Sequence, residues 1–97
     1  MELYAIRRRD VWESPEALQE TAARSAEVGE QMAEDVRWIR SYVVQEASGK
    51  LGTVCIYEGT SPEKVREQAE RAGMPADEVS PVLDTVVVRA DPAPASA

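Results

Sequence analysis

The sequence predicts one α+β domain with the element order βαββαβ. Three observations lead to this prediction: two segments with helical start signals and helical apolar spacing, four segments rich in strand-forming residues, and a length of 97 residues that suits one small domain. The predicted domain covers 1–89. Residues 90–97 are only Ala, Asp, Pro and Ser, so we expect a disordered tail there.

Four segments have the composition of β-strands. The first alternates between two faces, with Leu3 and Ala5 on one side and Tyr4 and Ile6 on the other. The second is dominated by β-branched and aromatic residues, which fit a pleated surface. A turn over 47–50 predicts that the second and third strands pair antiparallel. The predicted strands cover 2–8, 36–45, 51–58 and 80–89.

Two helices are predicted from matching start signals. Ser14 and Ser61 can each cap free backbone N–H groups, and each is followed by Pro and Glu, which suit a first helical turn. The first helix is predicted over 15–35, where Gly29 would allow a close approach to the layer beneath. The second helix ends before Gly73, in the position after a last turn that favours glycine. The predicted inward stripes are Leu18, Ala22, Ser25, Gly29 and Met32, then Val65, Ala69 and Ala72.

The two halves of the chain repeat one pattern. SPEALQETAARS begins at Ser14 and SPEKVREQAERA begins at Ser61, and serine, proline, glutamate, alanine and arginine recur at matching places. A doubled βαβ unit is what the ferredoxin-like fold contains. We therefore predict a ferredoxin-like fold, with a four-stranded antiparallel sheet and two helices on one face. Its open face is expected to pack on a second subunit as a dimeric α/β barrel.

Composition excludes several classes of function. The net charge of −7, from 18 acidic and 11 basic residues, argues against nucleic acid and anionic membranes as partners. There is no histidine, and no P-loop, dinucleotide-binding glycine pattern or nucleophile elbow, so we expect no cofactor and no metal. The first residues are charged and no apolar run is long enough to span a bilayer, so the sequence predicts a cytoplasmic protein.

Alternation along the strands predicts which residues form the open face of the sheet. The small residues of the helix stripes favour a compact aliphatic layer, so we expect Ile39, Val43, Val54 and Ile56 beneath the helices. The opposite set then faces outward, and it either fills a dimer core or lines a pocket between two sheets. That set is Tyr4, Ile6, Trp38, Arg40, Tyr42, Val44, Thr53, Cys55 and Tyr57.

The open face supplies the predicted ligand-binding residues. Arg40 either holds a carboxylate or phenolate or pairs with an acidic side chain of strand three or of the dimer partner. Cys55 is either a small buried residue or part of a reactive site. If the site performs a reaction, a tyrosine or Cys55 must carry the proton, because no histidine is available. Trp12 either caps the mouth of the pocket or fixes the loop in which it lies. One of the arginines at 7–9 either reaches the site, or all three simply form a solvated strand end. The predicted ligand-binding residues on this face are Tyr4, Trp38, Arg40, Tyr42, Cys55 and Tyr57.

Four stretches carry a family resemblance: VRWIRSYV, CIYE, KVREQA and GMP. Together they resemble small ferredoxin-like proteins, common in actinobacteria, that are nickel-binding or of unknown function. The resemblance covers about 1–89 and implies a homodimer with facing sheets and, for some members, nickel bound through histidines. Relatives carry these histidines at the end of strand one and in helix two, where this chain has Arg8, Arg9 and Gln68. Gln68 is a further candidate ligand-binding residue, which either offers its amide to a ligand or is an ordinary surface glutamine.

The leading functional prediction is a homodimer that binds a small anionic or aromatic molecule on its open sheet face, with a biosynthetic reaction left open. One alternative is an interaction or regulatory module with a filled dimer core. The other is a nickel-binding-type protein that lacks the histidine ligands, or a protein that binds a metal through carboxylates.

Overall fold

The computed structural model, which describes residues 1–92, confirms the βαββαβ order. The four strands form one antiparallel sheet in the spatial order β2-β3-β1-β4, which is the ferredoxin-like arrangement. None of the described helices is both long and apolar enough to cross a membrane. The elements are β1 (Glu2–Trp12), α1 (Pro15–Gln31), β2 (Val36–Gln45), β3 (Leu51–Gly59), α2 (Pro62–Arg71) and β4 (Glu78–Pro81).

Both helices begin at the predicted serine caps. The Ser14 hydroxyl accepts a hydrogen bond from the Ala17 N–H, and the Ser61 hydroxyl accepts one from the Lys64 N–H, each at 3.2 Å. A proline follows each cap, where its missing N–H costs nothing. The repeated SPE sequence therefore has a local structural cause in both halves of the chain.

The helix ends differ in how well they were predicted. α2 ends as expected, because Gly73 adopts a φ of 74° and its N–H donates to the Glu70 carbonyl at 3.0 Å. α1 ends at Gln31, short of the predicted 35, and its last turn contains no basic residue to offset the negative end of the helix dipole. No atom of a neighbouring element lies within 4 Å of the place that a β-carbon on Gly29 would occupy, so the predicted close approach is wrong.

The first strand is longer than predicted, and its second half is irregular. β1 continues past Arg8 to Trp12, with a shift in its register with β3 between these two residues. Asp10 lies inside the shift and has a φ of 55°, a left-handed conformation that aspartate tolerates better than most residues. Beyond this irregularity, the Trp12 side chain contacts α1.

The last strand is shorter than the predicted 80–89. β4 covers Glu78–Pro81 and pairs only with β1. One more backbone bond follows, from the Val82 N–H to the Leu3 carbonyl at 2.9 Å. Because β1 begins at Glu2, the valine-rich segment that follows β4 pairs with no strand among the described residues. High β-propensity alone does not make a strand without a partner.

The helices cover the face of β1 and β3 that was predicted to be open. Tyr4 and Tyr57 are 2% and 1% exposed, pair with each other across the two strands, and belong to the same core as Val28 of α1 and Val65 of α2. The prediction was wrong because small residues on the helices leave room for large rings, rather than requiring small partners. The residues of β1 and β3 beneath the helices are Tyr4, Ile6, Arg8, Thr53, Cys55 and Tyr57.

A bulge in β2 divides the predicted outward set. Trp38 pairs with Tyr57, but Arg40 pairs with Ile56, so Ile39 is an extra residue in the strand. Trp38 therefore faces the helices and Arg40 faces away, although regular alternation would place them together. Ile39 is 45% exposed, so the prediction that it lies beneath the helices is wrong.

The end of the described chain returns to the open face. Arg40 Nη1 lies 2.6 Å from the Asp91 carboxylate, and the Tyr42 hydroxyl donates to the same carboxylate. Arg40 thus forms an ion pair, but its partner belongs to the C-terminal segment and not to strand three or a dimer partner as predicted. Most of the tail predicted to be disordered, from residue 93 onward, lies outside the described residues.

Candidate ligand cavity beneath helix α1

A cavity of about 490 Å³ lies between α1 and the sheet. Its walls are mainly apolar and include the rings of Trp12, Trp38 and Tyr57 together with Leu18 of α1. Val43 of β2 also lines the cavity and is 54% exposed, which places the opening beside this edge strand. The helix side of the sheet therefore contains a half-open, mainly apolar cavity, whereas the prediction placed the pocket on the open face.

Both tryptophans of the chain are fixed against the cavity. Trp12 is buried, and its indole N–H donates to the Thr21 hydroxyl of α1 at 3.0 Å. The side chain ties its segment to α1, which is one of its two predicted roles, and it lines a cavity on the other side of the sheet from the predicted pocket. The Trp38 ring stacks on Tyr57 with 6.0 Å between ring centroids and 7° between planes. Aromatic surfaces therefore face the space from more than one side.

A chain of hydrogen bonds leads from the Trp38 edge of the cavity to its floor. The Trp38 indole N–H donates to the Ser41 hydroxyl at 2.7 Å, and that hydroxyl donates to Cys55 Sγ at 2.9 Å. Arg8 Nη1 donates to the same sulfur at 3.4 Å. Cys55 is buried and accepts two hydrogen bonds, so it is more than the small apolar residue of the simplest prediction.

Tyr57, Ser25 and Gln68 form a second polar cluster between the sheet and both helices. The Tyr57 and Ser25 hydroxyls lie 3.3 Å apart, and Gln68 Nε2 donates to the carbonyl and the hydroxyl of Ser25 at 3.0 Å each. Burial raises the pKa of the Tyr57 hydroxyl above its ordinary value, so the group stays protonated at neutral pH. Gln68 is fully buried, and its interpretation as a surface residue is wrong.

Arg8 is the most unusual side chain at the cavity. It is 2% exposed, and its Nε donates to the Pro75 carbonyl at 2.6 Å. Its Nη2 is buried and has no hydrogen-bond partner among the described residues, and the same holds for the hydroxyl of Thr53, which lies opposite Arg8 on β3. Both residues line the cavity. The floor of the cavity therefore holds a cation and a hydroxyl with unused hydrogen-bonding capacity.

The structure brings together only part of the predicted site. Some of the residues line the cavity, others lie in the core beside it, and two lie on the opposite side of the sheet. Trp38, Cys55 and Tyr57 line the cavity, Tyr4 and Gln68 are buried beside it, and Arg40 and Tyr42 are exposed on the open face.

Arg8 and Thr53 escaped the sequence-based assignment of the site for different reasons. Arg8 was considered only as one of three arginines, any of which could reach the site, although it alone of the three shares the alternation of Tyr4 and Ile6. That alternation is the signal that could have placed it in the core. Thr53 was placed on the correct strand face with Cys55 and Tyr57, but the face itself was misassigned.

The fold and the cavity define a small ferredoxin-like α+β protein with a half-open apolar cavity beneath its first helix. The chain belongs to the family described as nickel responsive protein SCO4226-like, whose model matches residues 4–82. The crystal structure of SCO4226 from Streptomyces coelicolor A3(2) is similar, with a TM-score of 0.70 and 26% identity over 87% of this chain and 99% of that one. No curated protein matches the sequence. The resemblance seen in the sequence is therefore confirmed.

The residues of this chain do not fit the nickel site that the family description suggests. The sequence contains no histidine, and nickel favours imidazole among protein ligands. Within residues 1–92, no group of three or more Cys, Asp or Glu side chains is arranged to hold a metal ion. We therefore derive no chemistry from a bound metal.

Proposed function

We propose that this protein binds a small organic molecule with an apolar or aromatic body in the cavity beneath α1. The supporting observation is the cavity itself, about 490 Å³ in volume and walled by aromatic and aliphatic side chains. Binding sites for small molecules are typically concave, mostly apolar spaces of about 300–1,000 Å³ with a few polar groups. The proposal keeps the predicted class of ligand and moves its location from the open face to the helix side.

The cost of leaving such a space unfilled supports the proposal. The walls of this half-open cavity are mainly apolar, and removing apolar surface from water is favourable. Liquid water occupies about 30 Å³ per molecule, so the cavity has room for more than about ten waters. Its mainly apolar walls offer most of those waters few partners. A bound ligand would restore the contacts that the wall residues otherwise lack.

A neutral aromatic probe, 3-phenylpropanamide, tests this proposal. We expect it to bind the protein and to change the fluorescence of Trp12 and Trp38, which both line the cavity and are the chain's two tryptophans. The Ala22→Phe variant places a ring in the cavity from α1 and should lose binding. Ligand-observed saturation-transfer NMR provides the second measurement.

The Ala23→Phe variant is the matched control, since Ala23 lies next along the same helix and is exposed. We expect it to bind the probe as the unmodified protein does. Absence of probe binding to the unmodified protein, or equal binding by Ala22→Phe, would contradict the proposed location.

We also propose that two copies of the chain associate through the open face of the sheet and the segment that follows β4. Leu83 and Val86–Val88 are each at least 74% exposed, and this segment pairs with no strand within residues 1–92. Its end is held at the open face by Asp91 through Arg40 and Tyr42. Several large apolar side chains exposed in one short segment favour a cover, and a second copy can supply both a facing sheet and a strand partner.

Light scattering after size-exclusion chromatography tests the association. We expect the mass of two chains of 10.7 kDa each, and a shift towards one chain for the Val87→Glu variant. Ala26→Glu introduces the same charge on an exposed position of α1 and should leave the mass unchanged. A single-chain mass for the unmodified protein across the concentration range would refute the dimer.

A further inference from the structure

The buried guanidinium of Arg8 lacks an acidic partner. Its side chain contacts the Pro75 carbonyl and Cys55 Sγ, and no described carboxylate lies within ion-pair distance of it. Arginine stays protonated in proteins, and a buried charge without compensation is strongly unfavourable. Fully buried arginines are accordingly found paired. The position of Arg8 in the fold therefore implies a missing negative group.

The unused donors at the cavity floor belong to two neighbouring residues on adjacent strands. Arg8 and Thr53 are direct partners across β1 and β3, so their side chains leave the same face of the sheet side by side. Arg8 Nη2 and Thr53 Oγ1 are both buried and without hydrogen-bond partners in the described chain. A guanidinium edge and a hydroxyl can both donate to one pair of anionic oxygens.

We propose that Arg8 and Thr53 bind the carboxylate of an aromatic monocarboxylate whose ring lies against Trp12, Trp38 and Tyr57. This inference rests on the proposed function and names the chemical class of its ligand. A monoanion is favoured because Arg8 supplies one positive charge and the rest of the wall is mainly apolar. A phosphate group would bring a second negative charge into the same space without a second cation.

The charge of the whole chain gives the binding a distinctive dependence on salt. The net charge of −7 repels an anion at long range, so attraction to the site must come from contact with Arg8 and Thr53. Salt screens the long-range repulsion, whereas a buried ion pair is screened much less. Carboxylate binding at this site should therefore be nearly constant or slightly stronger as salt increases, while adsorption to surface arginines should weaken.

The test compares 3-phenylpropanoate with its neutral amide, 3-phenylpropanamide, by calorimetry and saturation-transfer NMR. We expect the unmodified protein to prefer the carboxylate by about tenfold or more, the range for a hydrogen bond with a charged partner. Arg8→Met, which keeps an apolar side chain of similar length, should lose this preference. Thr53→Val removes only the hydroxyl and should reduce the preference for the carboxylate. This variant keeps the inference testable if Arg8→Met does not fold. Arg9→Met should retain the preference, because Arg9 is exposed and pairs with Glu78.

The outcomes separate this inference from the proposed function. Equal or tighter binding of the amide to the unmodified protein would overturn the carboxylate site while leaving the cavity proposal intact. Failure of both probes to bind would overturn the cavity proposal and the inference together. Competition by inorganic phosphate as effective as that by 3-phenylpropanoate would overturn the assignment of a monocarboxylate. An Arg8→Met variant that folds and keeps the full preference would remove Arg8 from the site.

Discussion

The Tyr57→Ala variant should lose about 3–5 kcal/mol of unfolding free energy, as is typical when a large buried aromatic side chain is removed. Tyr57 is 1% exposed, stacks on Trp38 and bonds through its hydroxyl to Ser25, so the change removes both of these contacts together with the burial of the ring. For a domain of this length, a loss of this size lowers the melting temperature by about 12 °C or more. Denaturant unfolding and thermal melting both measure it.

Tyr42→Ala is the matched control for this substitution. Tyr42 is also a tyrosine in the sheet, but it is 44% exposed on the open face and bonds to Asp91. We expect Tyr42→Ala to lower the unfolding free energy by no more than about 1 kcal/mol, as for most exposed positions. Equal losses for the two variants, or a larger loss for Tyr42→Ala, would show that the assignment of the sheet faces is wrong. Tyr57→Phe should lose only the hydrogen bond, about 1 kcal/mol.

The Gly52→Ala variant should be destabilised by about 1–3 kcal/mol through overpacking. A β-carbon at Gly52 would lie closer than an ordinary contact allows to the Arg8 carbonyl oxygen and to the Glu46 carboxylate. The carboxylate could move, but the carbonyl belongs to the backbone of β1 and cannot move without disturbing the β1–β3 pairing. Chemical denaturation monitored by circular dichroism measures the change.

The surroundings of Gly52 give this substitution a second effect. Arg7 Nη2 lies 2.8 Å from Glu46, and the hydrogen bond from Arg7 holds the pKa of that carboxyl below its ordinary value. Displacing Glu46 weakens this bond, so the carboxyl pKa in Gly52→Ala should return towards its ordinary value. Carboxyl-detected NMR titration follows the shift directly.

Gly29→Ala is the control for glycine replacement in the same chain. Gly29 lies within α1 with nothing within 4 Å of where its β-carbon would be, so alanine should stabilise the helix by about 0.5–1 kcal/mol. The two Gly→Ala substitutions are therefore expected to have opposite signs. Destabilisation by Gly29→Ala as large as that by Gly52→Ala would contradict the contrast in packing between the two sites.

The fold could be predicted because its signals are local. Ser14 and Ser61 define both helix starts, Gly73 defines the end of α2, and the turn after β2 defines a hairpin. Each of these features depends on a few neighbouring residues, and their order along the chain leads to the ferredoxin-like topology. The repeated pattern in the two halves supported the same conclusion.

The location of the site could not be predicted because it depends on which sheet face the helices cover. Alternation separates the two faces of a strand but does not say which face is inward. The bulge at Ile39 places Trp38 and Arg40 on opposite faces, and no glycine in this part of the sequence indicates a bulge. A buried arginine such as Arg8 also resembles a surface residue when only composition is considered. Both features arise from contacts between elements distant in sequence.

The cavity opens beside β2 on the helix side, whereas the surface proposed for association lies on the other side of the sheet. Pairing of two subunits through that surface leaves both entrances accessible. A ligand bound in one subunit then does not block the cavity entrance of the other subunit. Titration should therefore reach a stoichiometry of one ligand per chain with equal, independent affinities. Association along the β2 edge would instead close the entrances and slow ligand exchange.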